Sequence, residues 1–439
     1  MARLYEPAAY DTAQWPDSYW RATSQKLPPL PPLTGDAETE VAIIGAGYAG
    51  LNAALELAES HGIRATVLDA GQPGWGASGR NAGFACMGGT SLEGSQIARM
   101  LGAEAAAEWK TFERAAIERV RDNLARYAIA HHPGPEGEVC LAHSPRRFRA
   151  MCEAPPEPDT ALWDRDELAA RGLAGPGFHG GLSRAQGFGL QPLDYVLGLA
   201  RAAQAAGVTI QGDSAVCALK RDGAAWVLQT ATGRLRARRV LVATNGYSDE
   251  ALPEWLGGRI FPVLSAILVT RALTPDERAA QGWTSQLMAY DSRRVLHYFR
   301  LLPCGRFLFG GRGGTSADPA ALAAFHTTLR AEFEAMFPAF AGAQTQHYWA
   351  GFVCLTGSLA PYCAEVPDQT GLFAALGWHG NGVAAASAAG RAIAAPLAGL
   401  ANPVPRLMQQ PPRRFWPAGL RRPMLTLGIG LAKALDRWR

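Results

Sequence analysis

The feature that most limits how this chain can fold is a glycine-rich turn between a short strand and a helix. Val41-Ala-Ile-Ile44 reads as a buried strand, and Gly45-Ala-Gly-Tyr-Ala-Gly50 follows it directly. Small and apolar residues then recur at helical spacing, and a second strand closes on Asp69. Strand, turn, helix and strand follow one another within about thirty residues, which predicts a βαβ unit.

The three glycines of the turn have separate physical roles. Gly45 permits the tight turn, Gly47 lets the backbone approach a pyrophosphate, and Gly50 lets helix and strand pack closely. Phosphates bind over the free N–H groups at the start of such a helix, where the helix dipole favours anions. Asp69 lies nineteen residues after Gly50, where an acidic side chain accepts hydrogen bonds from a ribose. The unit therefore predicts a dinucleotide site, and the alternative is a glycine-rich turn without a ligand.

A second stretch of small residues follows the second strand. Residues 74–83 read Gly-Trp-Gly-Ala-Ser-Gly-Arg-Asn-Ala-Gly, and their small side chains let a large flat ligand lie against the backbone. Ser78 and Asn81 supply hydroxyl and amide groups, and Arg80 supplies positive charge. Next to a nucleotide site this favours a bound ligand over the alternative, a mobile surface loop.

Composition narrows the class of protein. The 439 residues are 48% hydrophobic with a formal net charge of +4, so a sizeable core is expected, and nucleic-acid binding is not. No charge-free apolar run of about 18 residues occurs, and the first residues lack the apolar core of a secretion signal. Seven cysteines without a Cys-x-x-Cys motif argue against a disulfide scaffold and a zinc ribbon. We expect a cytoplasmic protein with no transmembrane segment and no metal site.

Several further motifs carry a family resemblance. They are Gly187-Phe-Gly-Leu-Gln-Pro192, Arg239-Val-Leu-Val-Ala-Thr-Asn-Gly-Tyr247, Tyr298-Phe-Arg300 with Phe307-Leu-Phe-Gly-Gly-Arg312, and Gly377-Trp-His-Gly-Asn-Gly-Val383. Together with the two glycine-rich segments, they make nearly the whole chain resemble the D-amino-acid-oxidase-like (DAO) group of FAD-dependent oxidoreductases. Within that group the chain is most similar to the gamma-glutamylputrescine-oxidase-like branch.

The resemblance implies an α/β fold, α+β overall, with glutathione-reductase-like architecture. A Rossmann-type FAD-binding domain would be interleaved with a substrate domain built on a mixed or antiparallel β-sheet, between an N-terminal arm and a C-terminal tail. The FAD-binding domain would consist of residues 39–95, 183–255 and 346–402, and the substrate domain of residues 96–182 and 256–345. The N-terminal arm would be residues 1–38, and the C-terminal tail residues 403–439.

The resemblance also implies which residues hold FAD, which we expect to be bound without a covalent link. Val216 would meet the adenine through its backbone, although an ordinary strand valine is an equal alternative. The helix that begins near Gly380 would direct N–H groups at the polar edge of the flavin. The expected cofactor-binding residues are Gly45, Gly47, Tyr48, Ala49, Gly50, Asp69, Ala70, Gly76, Ala77, Ser78, Arg80, Asn81, Gly83, Val216, Thr244, Asn245, Gly246, Gly377, Gly380, Asn381, Gly382 and Val383.

For chemistry, the resemblance implies oxidation of the C–N bond of a primary or secondary amine. Hydride passes from the carbon beside a neutral nitrogen to flavin N5, and water hydrolyses the resulting imine to an aldehyde and an amine or ammonia, while O2 is reduced to H2O2. Because the flavin performs the difficult step, we expect an aromatic and apolar pocket rather than a triad. Candidate catalytic residues are Tyr298, Arg300 and His297, and candidate walls are Trp349 and Trp378. The alternative for each of these five is packing or surface pairing.

Three positions depart from the family pattern. Val353 stands where members that bind α-amino acids have a carboxylate-binding arginine, which favours an amine as substrate. Leu308 stands near the oxygen-activating lysine of some members, and no lysine occurs between positions 220 and 433. An acceptor other than oxygen is therefore an alternative. Asn381 replaces a histidine of the flavin loop and cannot carry a proton.

Three hypotheses about function remain open. The first is an amine oxidase, and the second is an amino-acid or imino-acid dehydrogenase with a non-oxygen acceptor, in which Arg300 or Arg312 holds a carboxylate. The third is a non-catalytic FAD-binding subunit. We expect Cys354 and Cys363 to be buried core cysteines, and the alternative is that one of them is linked to the flavin.

The C-terminal tail is apolar and ends in basic residues. We expect its helix, within residues 424–439, to dock on the body of the protein, and the alternative is peripheral contact with a membrane. The sequence predicts a small-molecule amine as the binding partner and gives no indication of oligomeric state.

Overall fold

Two β-sheets and the helices packed on them make up the fold. The computed structural model describes residues 3–437. The strands are β1 Gly35–Ile44, β2 Thr66–Leu68, β3 Phe84–Ala85, β4 Glu136–Leu141, β5 Thr160–Trp163, β6 Gly181–Gly189, β7 Thr209–Gln211, β8 Ala218–Asp222, β9 Ala225–Gln229, β10 Gly233–Val242, β11 Ile260–Ala272, β12 Met288–Asp291, β13 His297–Leu301, β14 Arg306–Gly314, β15 Thr345–Thr356, β16 Tyr362–Glu365 and β17 Leu372–Leu376. The helices are α1 Tyr19–Thr23, α2 Tyr48–His61, α3 Gly94–Leu101, α4 Ala103–Arg126, α5 Pro145–Glu153, α6 Arg165–Ala170, α7 Pro192–Ala205, α8 Pro275–Gln281, α9 Pro319–Met336, α10 Gly382–Leu397 and α11 Arg421–Arg437.

The first sheet contains the βαβ unit predicted from the glycine-rich turn. Its strands lie in the order β16-β17-β10-β1-β2-β7, and the β8–β9 hairpin pairs with β10. The five strands from β17 to β7 are parallel. Residues 41–44 are all buried, as expected for the continuous apolar run of a parallel strand.

The second sheet is mixed and mostly antiparallel. Its order is β15-β11-β14-β13-β12-β4-β6-β3, with β5 paired to β6, and β12 and β4 run parallel. One face packs on α9 through an aromatic core that includes Phe299, Phe307, Phe309, Phe333 and Phe337. The other face contributes to the core that also contains residues of α2 and α10. The predicted fold class, a Rossmann-type sheet combined with a mixed sheet, is confirmed.

The division into interleaved domains stays a prediction. Strand pairing differs from it, because β3, most of β6 and most of β15 fall in the expected FAD segments but pair within the second sheet. In addition, β1 begins at Gly35, within the residues expected to form the N-terminal arm.

The C-terminal helix α11 docks on the body of the protein. Arg421 forms a buried ion pair with Glu250 at 2.6 Å, and Lys433 pairs with Glu332 at 2.7 Å. Its outer face is apolar and exposed at Met424, Leu427 and Leu431. Among residues 3–437, the structure contains no helix that is both long and apolar enough to cross a membrane.

Candidate active site

The glycine-rich turn forms a cradle at the carboxyl end of β1. Gly45 has φ +111°, and a Cβ atom there would lie 2.9 Å from the carbonyl oxygen of Ala243. A Cβ atom at Gly50 would lie 2.0 Å from the carbonyl oxygen of Gly45, so α2 packs against the turn as closely as its backbone allows. Gly47 caps α2 without a side-chain hydrogen bond. The first turn of α2 is therefore suited to bind an anion.

Asp69 lies where the second strand of the unit ends. Its Oδ2 atom accepts a hydrogen bond from the Ala46 N–H at 2.7 Å, and Oδ1 accepts one from the Gly71 N–H at 2.9 Å. Burial raises the pKa of Asp69, because desolvation outweighs these two hydrogen bonds. The carboxylate lines the cavity described below and retains lone pairs for a ribose.

Several side chains of the segment 74–83 form hydrogen bonds that fix the segment in place. The Ser78 hydroxyl accepts a hydrogen bond from the Tyr48 N–H at 3.0 Å. The Arg80 guanidinium donates to the carbonyl oxygens of Trp75 at 2.6 Å and Ala350 at 3.2 Å. Arg80 thus ties this segment to β15 of the second sheet, and the small residues beside it are free to contact a ligand.

The start of α10 closes the far side of the cradle. Asn381 caps the helix without a side-chain hydrogen bond to the first turn, and its amide instead donates to the Met87 carbonyl oxygen at 3.0 Å. Gly380 has φ +101°, and a Cβ atom there would lie 2.3 Å from Arg312 Nη2. The positive end of the α10 dipole and the Arg312 guanidinium therefore meet at one place.

A continuous cavity joins these parts and extends to the inner face of the second sheet. Eighteen of the expected cofactor-binding residues line it: Gly45, Gly47, Tyr48, Ala49, Asp69, Ala70, Gly76, Ala77, Ser78, Arg80, Asn81, Val216, Thr244, Asn245, Gly380, Asn381, Gly382 and Val383.

Four expected residues lie behind the cavity wall, where they permit close packing. They are Gly50, Gly83, Gly246 and Gly377, and a Cβ atom at each would lie within 2.9 Å of backbone or side-chain atoms of other segments.

Tyr298 is the expected catalytic residue that the structure places at the cavity. Its hydroxyl is 2.8 Å from Ser265 Oγ, and burial raises its pKa to about 12. Arg300 is buried but does not line the cavity. Arg300 donates a hydrogen bond to the Leu190 carbonyl oxygen at 2.7 Å, and burial lowers the pKa of Arg300 to about 10. Arg300 therefore supports the loop at Leu190 rather than facing a ligand.

The structure does not bring His297 to the cavity. Side chains alternate between the faces of a strand, so His297 points away from Tyr298 and stacks on Phe309 in the aromatic core. Its two ring nitrogens lie 2.8 Å from Asp291 and 3.0 Å from Glu332. Burial lowers the pKa of His297, but hydrogen bonds to these two carboxylates outweigh burial and raise the pKa above its usual value. At this position His297 does not line the cavity, so its catalytic role stays a prediction that this geometry does not favour.

Trp378 lines the cavity, whereas Trp349 does not. The Trp349 indole donates to the Arg80 carbonyl oxygen at 2.8 Å, so Trp349 packs behind the wall of the cavity.

Cys354 lines the cavity and Cys363 does not. Burial raises the pKa of Cys354 to about 12, which keeps its sulfur as an unreactive thiol.

Sequence reasoning missed Glu138 and Tyr290, which lie on β4 and β12 and line the cavity with Val353. Arg312, which the sequence suggests only as a carboxylate-binding residue, also lines the cavity. The signal for Glu138 was weak, because it is one of two acidic residues, with Glu136, that precede the apolar residues of β4. It was uninformative without the knowledge that β4 lies beside β12.

The arrangement fits FAD. The cavity extends from Val216 past the first turn of α2 to the first turn of α10, and glycines in the cradle leave no room for Cβ atoms. The first turns of α2 and α10 and the Asp69 carboxylate match two phosphates, a polar ring edge and a ribose.

Comparisons with known proteins agree with this geometry. The family model described as FAD dependent oxidoreductase (DAO) matches residues 40–395. A probable oxidoreductase OrdL from Rhizobium meliloti is 33% identical over 86% of this chain and 87% of its own length. Gamma-glutamylputrescine oxidoreductase from Escherichia coli K12 is 28% identical over 96% of this chain and 98% of its own length.

Solved structures show the same fold. Glycine oxidase from Geobacillus kaustophilus matches with a TM-score of 0.70 at 20% identity, covering 86% of this chain and 100% of that one. L-amino acid deaminase from Proteus vulgaris matches with a TM-score of 0.67 at 16% identity, covering 90% and 97%. The chain therefore belongs to the DAO family of FAD-dependent oxidoreductases, with FAD as its cofactor.

Proposed function

We propose that this oxidoreductase oxidises the C–N bond of an amine to an imine, which water hydrolyses to an aldehyde and an amine or ammonia. The observation that carries the proposal is the wall of the cavity opposite the nucleotide cradle. It presents the rings of Phe84, Tyr290 and Tyr298, the carboxyl group of Glu138, and the aliphatic side chain of Val353. An aromatic wall with a carboxyl group suits a cationic or neutral amine better than an α-amino carboxylate.

The chain's own residues position the reactants and exclude water. Bound FAD supplies the hydride acceptor. The first turns of α2 and α10 would hold its phosphates and the polar edge of its ring, because the N-cap residues of both helices leave the N–H groups without a side-chain cap. In α2 the Tyr48 N–H donates to the Ser78 hydroxyl instead. Tyr298 is fixed by its hydrogen bond to Ser265 and presents a rigid ring to the substrate. Such fixed positioning is the main contribution that a flavin enzyme requires from its protein.

A relative supports the choice of substrate class. Gamma-glutamylputrescine oxidoreductase matches the chain over almost its full length, so gamma-glutamylputrescine and simple primary and secondary amines are the first compounds to test. All seven cysteines are free, which supports the proposed cytoplasmic location.

A second candidate function rests on Arg312. Its guanidinium is buried at the cavity, and among the described residues its Nε atom has no hydrogen-bond partner. A buried cation of this kind would bind a carboxylate. The alternative is therefore an amino-acid or imino-acid dehydrogenase with an acceptor other than oxygen.

Anaerobic mixing with candidate substrates distinguishes these functions. Loss of flavin absorbance with amines that lack a carboxylate supports the proposal, whereas loss with α-amino acids alone supports the second candidate. If no amine or amino acid bleaches the flavin, the proposal fails and a non-catalytic FAD-binding subunit is favoured. The rate of re-oxidation in air then separates an oxidase that forms H2O2 from a dehydrogenase.

A further inference from the structure

Glu138 is a buried acidic residue that the sequence motifs did not identify. It is 4% exposed and lies on β4, beside β12 and one strand away from β13. Glu138, Tyr290 and Tyr298 all line the cavity. The Phe84 ring meets the Tyr298 ring edge to face, with centroids 6.3 Å apart. The Glu138 carboxyl group therefore lies on the same face of the second sheet as the rings of Tyr290 and Tyr298.

The protein itself compensates the charge of Glu138 poorly. Its nearest cationic atom, Arg184 Nη1, is 4.0 Å from Oε1, which is too far for a hydrogen bond. Arg184 Nη1 lies closer to the Tyr290 hydroxyl oxygen, at 3.2 Å, and its side chain is 23% exposed. Burial raises the pKa of Glu138 to about 7, while Arg184 and the Cys86 thiol oppose the shift. A cation that enters the pocket would therefore gain a partner that the fold has left available.

We propose that Glu138 binds the substrate nitrogen as an ammonium group, selects cationic amines over neutral molecules of the same shape, and accepts the ammonium proton before the neutral amine is oxidised. The faces of Tyr290 and Tyr298 add cation–π attraction on the same side of the sheet. Glu138 is thus a specificity-determining residue. This inference rests on the proposed amine oxidation for its choice of substrate, but it concerns binding and can be measured without turnover.

Other titratable groups around Glu138 must be considered when pH is varied. They are Arg184 on β6, Cys86 after β3, Cys140 on β4, Tyr290 on β12 and Glu113 on α4. Of these, burial also raises the pKa of Glu113 to about 7. Glu113 is not among the residues that line the cavity, so the variant Glu113→Gln separates its titration from that of Glu138.

The test measures binding of 2-methyl-2-butylamine and of 2-methyl-2-butanol to the FAD-loaded protein at pH 8, through perturbation of the flavin spectrum. Neither compound has a hydrogen on the carbon beside its nitrogen or oxygen, so neither can reduce the flavin. We expect the wild-type protein to bind the amine at least tenfold more tightly than the alcohol. Glu138→Gln should abolish this preference, and Glu138→Asp should retain part of it. The control Glu136→Gln, on the same strand but exposed and paired with Arg121, should keep the full preference.

The pH dependence provides a second readout that a merely structural role would not change. The preference should decline in the wild-type protein as pH falls through about 7, persist in Glu113→Gln with the same decline, and be absent in Glu138→Gln at every pH. An undiminished preference in Glu138→Gln overturns the inference even if amines reduce the flavin. If the preference depends on Glu138 but no amine reduces the flavin, the inference stands and the proposed function fails. If Glu138→Gln does not load FAD, a lost preference in Glu138→Asp overturns the inference and a retained one supports it.

Discussion

Replacing Gly50 by alanine should displace the first turn of α2 from the nucleotide cradle. The new Cβ atom would lie 2.0 Å from the Gly45 carbonyl oxygen and 3.1 Å from Ile43 Cγ2. Ordinary carbon–oxygen contacts are about 3.3 Å or longer, so helix and turn must separate by roughly 1 Å. Overpacking of this kind costs about 1–3 kcal/mol, and alanine's better helix propensity returns at most about 1 kcal/mol. Because the displaced N–H groups are those expected to bind the pyrophosphate, FAD affinity should fall by about tenfold or more.

The assay is titration of the apoprotein with FAD, followed by flavin fluorescence, together with thermal unfolding followed by circular dichroism. Gly94→Ala is the matched control, because Gly94 is also in the first turn of a helix, α3, and has no neighbouring atom within 4 Å of a new Cβ. We expect Gly50→Ala to lose FAD affinity and a few degrees of melting temperature, and Gly94→Ala to change neither measurably. Wild-type FAD affinity in Gly50→Ala would refute the assignment of α2 as the pyrophosphate-binding helix.

Three further predictions concern ion pairing, flavin attachment and the pocket. Although desolvation opposes it, hydrogen bonds from His297 and Lys433 lower the pKa of Glu332 to about 2. Glu332 therefore stabilises the folded protein by on the order of 2 kcal/mol at pH values above its unfolded pKa of about 4.5. This stabilisation is lost as the pH falls towards 2. Chemical denaturation across that range should show the loss, and a Glu332→Gln variant should lack it. Acid precipitation should release the flavin into the supernatant, because Cys354 remains a thiol; yellow colour retained in the pellet would contradict this. Tyr298→Phe removes the hydroxyl that bonds Ser265, so we expect kcat/KM to fall by about fivefold to tenfold, and steady-state kinetics showing no change would exclude a positioning role for the hydroxyl.

The nucleotide half of the site was predictable because its determinants are contiguous. Gly45, Gly47 and Asp69 belong to one βαβ unit, whose backbone geometry fixes where the first turn of α2 and the end of β2 must lie. The structure places all three at the cavity. The role of Gly50 was also predictable, since close packing of helix on strand requires a residue without a Cβ atom.

The substrate half was less predictable because it is assembled from segments that are distant in the chain. Glu138 lies near Tyr290 because β4 and β12 pair in parallel, a pairing that no local pattern indicates. The position of His297, in contrast, could have been anticipated. Tyr298 and Arg300 share one face of β13 by period-two alternation, so His297, the first residue of the strand, must face the opposite side.

Anaerobic titration with product analysis tests most directly whether the FAD-loaded protein oxidises an amine. The FAD-loaded protein is titrated with gamma-glutamylputrescine and with pentylamine, and flavin absorbance and aldehyde are measured in the same sample. We predict that at least one of them bleaches the flavin and yields one aldehyde for each flavin reduced. Bleaching without aldehyde, or reduction by α-amino acids in the absence of any reaction with amines, would contradict amine oxidation.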